Sequence, residues 1–152
     1  MTKLQKSLDR LSTHDLAERL KASNTARQFG FFLREAGSKS LALGMRVRKR
    51  HLQVHGVVHG GVLASFADTA GGLAVYLCLP SGSRVATIEM KINYLEAVER
   101  GEVTAEARVI RLGKNIGVVD CDITDDAGRL VGKALMTFAV ISRGGKGKGR
   151  QR

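Results

Sequence analysis

The sequence predicts an α+β fold in which an antiparallel sheet curls around one long apolar helix. Two stretches and the composition predict it. Residues 61–78 repeat their apolar side chains at a helical period and carry a single charge, Asp68. Four strand-like runs then fill residues 84–142, separated by short breaks of turn composition. A chain of 152 residues, 43% hydrophobic and 26% charged, is one domain of ordinary size with enough apolar side chains for a core.

The first element is residues 7–28. Leu8, Leu11, Leu16 and Leu20 line up as the apolar face of an amphipathic helix, and Ser12 or Thr13 is its candidate cap. The opening residues hold no apolar core of the secretory-signal kind. Cys78 and Cys121 each sit in an apolar run and read as buried thiols of a reducing compartment, which together predicts a cytoplasmic protein. Next, "GFFLREAGSKSLALGMRVRKR" reads as two short strands around an "AGSKS" turn, and "HLQVHGVVHGG" as a loop rich in His and Gly.

Wound at a helical pitch, residues 61–78 put Val62, Leu63, Phe66, Ala67, Ala70, Leu73, Ala74 and Leu77 on one half of the circumference. Ser65, Asp68, Gly72 and Tyr76 fall on the other half, a face of small residues that lets something approach closely. The stretch Gly60–Leu79 has the length of a membrane span, but Ser65, Asp68, Thr69 and its glycines argue against that use. "LPSGS" ends the helix with the one proline of the chain. The strand runs are "RVATIEMKINYLEAV", "GEVTAEARVIRLG", "NIGVVDCDIT" and "GRLVGKALMTFAVIS". Alternation is clearest at Ile88, Met90, Ile92 and Tyr94. The breaks "VERGE", "LGKN" and "DDAG" predict antiparallel neighbours in sequence order, a four-strand meander.

The net charge of +11 admits nucleic acid, an anionic membrane surface or a phosphate-bearing ligand as partner. Basic residues are not interleaved with aromatics, no zinc pattern appears, and there are two Tyr and no Trp, so nucleic acid is not expected. The tail "SRGGKGKGRQR" has basic residues and glycines but no acid, and reads as solvated chain. His51, His55 and His59 are spaced for a metal only if they share a helix, and Gly56 argues against one, so no metal is expected.

From His51 to Ser83 only Asp68 carries a full charge, and it stands nine residues after His59 of a His-Gly-Gly. "HGVVHGGVLASFADTAGG" closely resembles the signature of the hotdog-fold acyl-CoA thioesterases of the phenylacetyl-CoA thioesterase family. The resemblance extends from about Phe31 to Ile141: "ATIEMKINYLEAV" looks like that family's second core strand and "GRLVGKALMTFAV" like its last. It implies a hotdog domain at 31–142, and the helical segment at 1–30 and the basic tail at 143–152 fall outside it. It implies hydrolysis of an acyl-CoA to free acid and CoA, and the apolar lining suggests a medium-chain or aromatic acyl group. No cofactor is implied, since CoA is part of the substrate.

The resemblance points to the backbone N–H of Gly60 as oxyanion donor and to Asp68 as nucleophile or general base. The chemistry is sound on its own terms. A helix start leaves N–H groups unpartnered at the positive end of the dipole, and Gly60 and Gly61 let a ligand oxygen come close. Such donors stabilise the charge that grows on a thioester carbonyl under attack. A carboxylate either attacks that carbon or takes a proton from water. Gly60 and Asp68 are eight residues apart, roughly 12 Å along a helix, too far for one thioester. The two are therefore expected to meet across a two-fold axis, in a homodimer and a dimer of dimers.

Further residues carry over. Gln53 matches an Asn or Gln that orients the acid or the water, and His59 shapes the start of the helix. Gly72 lies on Asp68's face, where some relatives carry Ser or Thr, and this departure makes Thr87 the candidate for holding the water. Arg84, Arg111, Lys114 and the tail from Arg143 are candidates for the CoA phosphates. The alternative is a non-catalytic acyl-CoA-binding module, against which an uncompensated charge on a packed face argues. A hotdog hydratase would carry a His-and-acid dipeptide that is absent here.

Overall fold

Ser12 opens the first helix with a reciprocal cap. Its Oγ accepts the Asp15 N–H, and the Asp15 carboxylate accepts the Ser12 N–H. The computed structural model describes residues 12–141. Helix α1, Thr13–Ala22, stops at Ser23, whose extended backbone and Oγ bond to the Ala26 N–H start a second helix, α2, Asn24–Phe29. The single helix expected over 7–28 is thus two, because a serine that can cap competes with continued helix. Gly30 closes α2 in the left-handed region, φ 70°, a conformation glycine takes without cost. Leu16 and Leu20 are buried as expected; Leu8 and Leu11 lie outside the described residues, as does the tail.

Strands β1, Phe31–Ala36, and β2, Ser40–Arg46, form the predicted hairpin. A short 3-10 turn, Lys49–His51, leads through the loop to α3, Gly60–Leu77. Strands β3 (Arg84–Tyr94), β4 (Glu102–Leu112), β5 (Ile116–Asp125) and β6 (Leu130–Ile141) complete one sheet in the order β1-β2-β4-β5-β6-β3. Every pairing is antiparallel.

That order corrects the expected meander. Strand β4 pairs with β2, Leu43 opposite Ala105, and β3 pairs with β6 at the far edge, Ile92 opposite Ala134. Loop length explains it. Residues 113–115 and 126–129 are short enough for hairpins, whereas 95–101 is a longer crossing that carries the chain from edge to middle. Burial agrees: Val103, Ala105, Ala107 and Val109 of β4 all face the core, whereas the alternating set of β3 leaves Ile88 56% and Tyr94 51% exposed. Alternation marked a strand at β3 but not a buried one.

The sheet wraps α3, which touches β2, β3, β4, β5 and β6. All eight residues of the predicted apolar face are buried. Gly71 is closed against the sheet: a methyl there would lie 2.6 Å from Met136 Cε and 3.0 Å from Phe138 Cζ. By length and composition α3 could also cross a bilayer, but more than half of it is packed inside the sheet. No disulfide joins Cys78 to Cys121; Cys121 is buried, its thiol pushed up to about 12 by desolvation, while Cys78 is only half-buried, contrary to expectation.

Leu16 is 0% exposed, so α1 is part of the core rather than an appendage. Leu16→Ala is expected to cost about 3 kcal/mol, in the range for a buried leucine cut to alanine. Chemical denaturation measures it; a loss under about 0.5 kcal/mol would mean that α1 is not docked in solution.

Candidate active site

The start of α3 is built by three consecutive residues. His59 is the N-cap: its Nδ1 accepts the Gly61 N–H at 2.9 Å, and its own N–H donates to the His51 carbonyl at 2.8 Å. Val62 N–H returns to the His59 carbonyl at 2.9 Å. The Gly61 donor is therefore taken, and Gly60 is the residue whose N–H has no acceptor among the described residues. Gly60 is bare for a steric reason too, since a Cβ would lie 3.1 Å from the Tyr94 ring.

His51 anchors this start from beneath. It is 1% exposed, its Nδ1 accepts the Arg48 N–H, and its ring packs beside Phe29. Arg50 Nε stands 3.5 Å from the ring's Nε2. Burial, then the charge of Arg50, holds its pKa below the ordinary histidine range, against a smaller opposing pull from the Phe29 backbone. Gln53 sits in a tight turn closed by its N–H to the Val57 carbonyl and by the Gly56 N–H to its own carbonyl. It is half-buried beside the head of α3, with no bond to Asp68 among the described residues. His55 is exposed in the same loop, and no three described His, Cys, Asp or Glu gather as a metal site.

Asp68 lies two turns further along. Its Oδ1 accepts the Thr87 hydroxyl at 2.7 Å, across from the edge strand β3. A register shift between Thr87 and Glu89 locally breaks the β3–β6 ladder beside this bond. The pair opens onto a cleft of about 270 Å3 whose polar wall is Arg19, Ser23, Asp68, Thr69, Tyr76 and Thr87 and whose apolar wall includes Leu20, Leu73 and Phe138. Gly72 is part of it, and a methyl there would sit 3.7 Å from Phe138, ordinary contact. Its smallness is space left open rather than space demanded by packing.

Gly60 lines a different hollow, about 330 Å3, with Val58, Leu63 and Tyr94. The molecule thus holds two half-sites, a carboxylate with a hydroxyl and an open amide, separated by roughly 12 Å of helix. Arg84 is exposed next to Val85 of the Asp68 cleft. Arg111 and Lys114 are exposed at the β4–β5 end of the sheet, and Arg111 lines a hollow with Cys78, so neither joins that cleft in this chain.

The family profile described as Thioesterase superfamily matches residues 55–132, which contain both half-sites. The chain belongs to the thioesterase superfamily. A thioesterase from Haemophilus influenzae has the same fold, with TM-score 0.83 and 32% identity over 90% of this chain and 95% of its own. Acyl-coenzyme A thioesterase 13 of Pongo abelii is 30% identical over 132 residues, 82% of this chain and 94% of the relative. The 1,4-dihydroxy-2-naphthoyl-CoA hydrolase of Escherichia coli is 28% identical over 127 residues, 82% of this chain and 93% of the relative. This superfamily member is an enzyme of thioester hydrolysis with the expected hotdog fold, a curled six-stranded sheet around a long helix with helices ahead of it.

Three neighbours of the half-sites were not singled out as site residues from sequence. Tyr76 shares Asp68's helical face, so periodicity locates it, but nothing local shows that its hydroxyl accepts the Val85 N–H at 3.1 Å. Arg19 and Tyr94 arrive through tertiary packing alone.

The buried ring of His51 makes stability depend on pH. Its folded pKa lies below the unfolded 6.5, so on acidification the unfolded chain takes up the proton first. This contribution is complete above pH 6.5 and drains away as pH falls from there through the folded pKa. Urea melts across this window are expected to show the decline in the wild type and a flatter profile in His51→Gln; parallel profiles would contradict it.

Proposed function

We propose that this chain hydrolyses acyl-CoA thioesters of medium-chain or aromatic acids, in the cytoplasm, as a homodimer that pairs into a dimer of dimers. The observation that carries the reading is the pair of half-sites: Asp68 held by Thr87, and a Gly60 amide without acceptor, too far apart to serve one substrate within one chain. An antiparallel arrangement of two α3 helices across a two-fold axis brings each Asp68 to the partner subunit's Gly60 and makes two equivalent sites. Strand β3 supports such a dimer. It is a long edge strand with one side unpaired and with Ile88 and Tyr94 exposed, a surface that proteins ordinarily cover.

In that assembly the thioester carbonyl oxygen lies at the Gly60 amide and its carbon faces Asp68. In one route Asp68 attacks the carbon, the C–S bond breaks, CoA leaves as thiolate, and water hydrolyses the resulting anhydride. In the other, Asp68 takes a proton from water as the oxygen attacks, and returns it to the departing sulfur. Either way negative charge collects on the oxygen beside Gly60 and falls away as the carbonyl reforms. Thr87 holds Oδ1, which leaves Oδ2 for the chemistry or for the water. Gln53 and His59 arrive with Gly60 from the same subunit, Gln53 to orient the water and His59 to fix the amide. CoA enters as part of the substrate, with no cofactor, and Arg84, Arg111 and Lys114 are exposed basic residues offered to its phosphates, together with those of the sequence from Arg143.

Release of CoA from a panel of esters, followed with a thiol reagent, tests the activity. Asp68→Asn is expected to cut it by roughly a hundredfold or more, the scale of a lost acid–base group. Subunit mixing tests the shared site. Gly60→Pro removes the amide donor and suits the backbone of a first helical position, with its Cβ pressing on the Tyr94 ring, so a thermal melt checks that it is folded. Co-expressed with Asp68→Asn, it is expected to restore about a quarter of wild-type activity, because half of randomly paired dimers are mixed and each holds one intact site of two. No recovery in confirmed mixed dimers, or a monomer at assay concentration, would end the shared-site reading.

A further inference from the structure

Asp68, Gly72 and Tyr76 recur every fourth residue along α3 and form one row on the cleft floor. A carboxylate stands at one end, an unfilled position in the middle and an aromatic ring at the other, roughly 12 Å from the first. Over that ring lies the guanidinium of Arg19, 4.5 Å from the centroid. Tyr76 is itself fixed, since its hydroxyl accepts the Val85 N–H.

Arg19 holds no ion pair among the described residues. The acids on its own helix are engaged elsewhere: Asp15 accepts both Ser12 donors, and Glu18 pairs with Lys21 at 2.8 Å. Ser23 and Thr69 line the same cleft with Arg19, while Leu20, Leu73 and Phe138 keep the middle apolar. The cleft is polar at both ends and greasy between them, and its far end carries a guanidinium that stacks on Tyr76 but bonds no carboxylate among the described residues.

We infer that Arg19 is a specificity residue that selects acyl groups ending in a carboxylate, the class of medium-length dicarboxylic acid mono-CoA thioesters. This rests on the hydrolase reading above. The reacting carbonyl sits at Asp68, the methylene chain crosses Gly72 against Phe138, and the terminal carboxylate meets the guanidinium in charge-assisted hydrogen bonds. Tyr76 holds the guanidinium plane over its ring, so little side-chain freedom is lost on binding.

The test compares hexanoyl-CoA with adipoyl-CoA, which differ at the far end by a methyl against a carboxylate. The wild type is expected to favour adipoyl-CoA in kcat/KM. In Arg19→Met the ratio of the two kcat/KM values falls roughly tenfold or more, the size of one lost hydrogen bond to a charged group, and Arg19→Lys recovers part of it. In Arg19→Glu the preference moves to ω-aminohexanoyl-CoA. Thermal melts show that each variant is folded. A wild type indifferent to the terminal carboxylate, or variants in which both esters slow by the same factor, as for a phosphate ligand, would overturn the inference and leave the hydrolase reading standing. If the wild type cleaves neither ester nor any other acyl-CoA, the hydrolase reading falls first and the inference with it.

Discussion

An α-helix has a fixed rise, and that constraint governs this molecule. Eighteen residues from Gly60 to Leu77 are locked in the curl of the sheet, with Phe66, Ala67, Ala70 and Ala74 wholly enclosed. The head of α3 and its middle cannot approach each other without breaking backbone hydrogen bonds. Whatever the open Gly60 amide does, it does two turns away from the Asp68 carboxylate. The burial that stabilises the fold is the same burial that keeps the two groups apart, and it makes a second subunit a chemical requirement of the mechanism proposed.

Around that rod the remaining elements act as clamps. His51 ties the end of α2 to the loop, its carbonyl holds His59, and His59 caps α3. Three linked contacts thus fix the open Gly60 amide. At the middle, Thr87 reaches in from the edge strand to hold Asp68, and at the far end Tyr76 is held by β3 and overlain by α1. Both ends of the cleft stand on α3 and are held by β3, and α1 adds the guanidinium at the far end.

The parts legible in the sequence are those set by local period and local chemistry. The eight apolar residues of α3 announced their face because only a helical period gathers them. Asp68 stood out because no other charge occupies that stretch, and the His-Gly-Gly marked the helix start. What escaped depends on contacts between distant residues. The meander seemed natural because successive strands usually pair, yet the 95–101 segment is a crossing, and its length was the available warning. The split at Ser23 turned on one side chain choosing to cap. Gly71 and Gly72 look alike in sequence, and only Met136 and Phe138 distinguish the filled site from the open one.

The pairing of β3 with β6 also bears on how the protein comes into being. Residues 84–94 leave the ribosome well before residues 130–141, the strand they need. Until the last strand is made, the eleven residues of β3 wait without the one ladder partner they have among the described residues. The carboxylate of Asp68 gains its hydroxyl partner only when that wait ends. A truncation within the C-terminal strand therefore leaves β3 without its ladder partner, an unpaired edge of the kind that seeds aggregation.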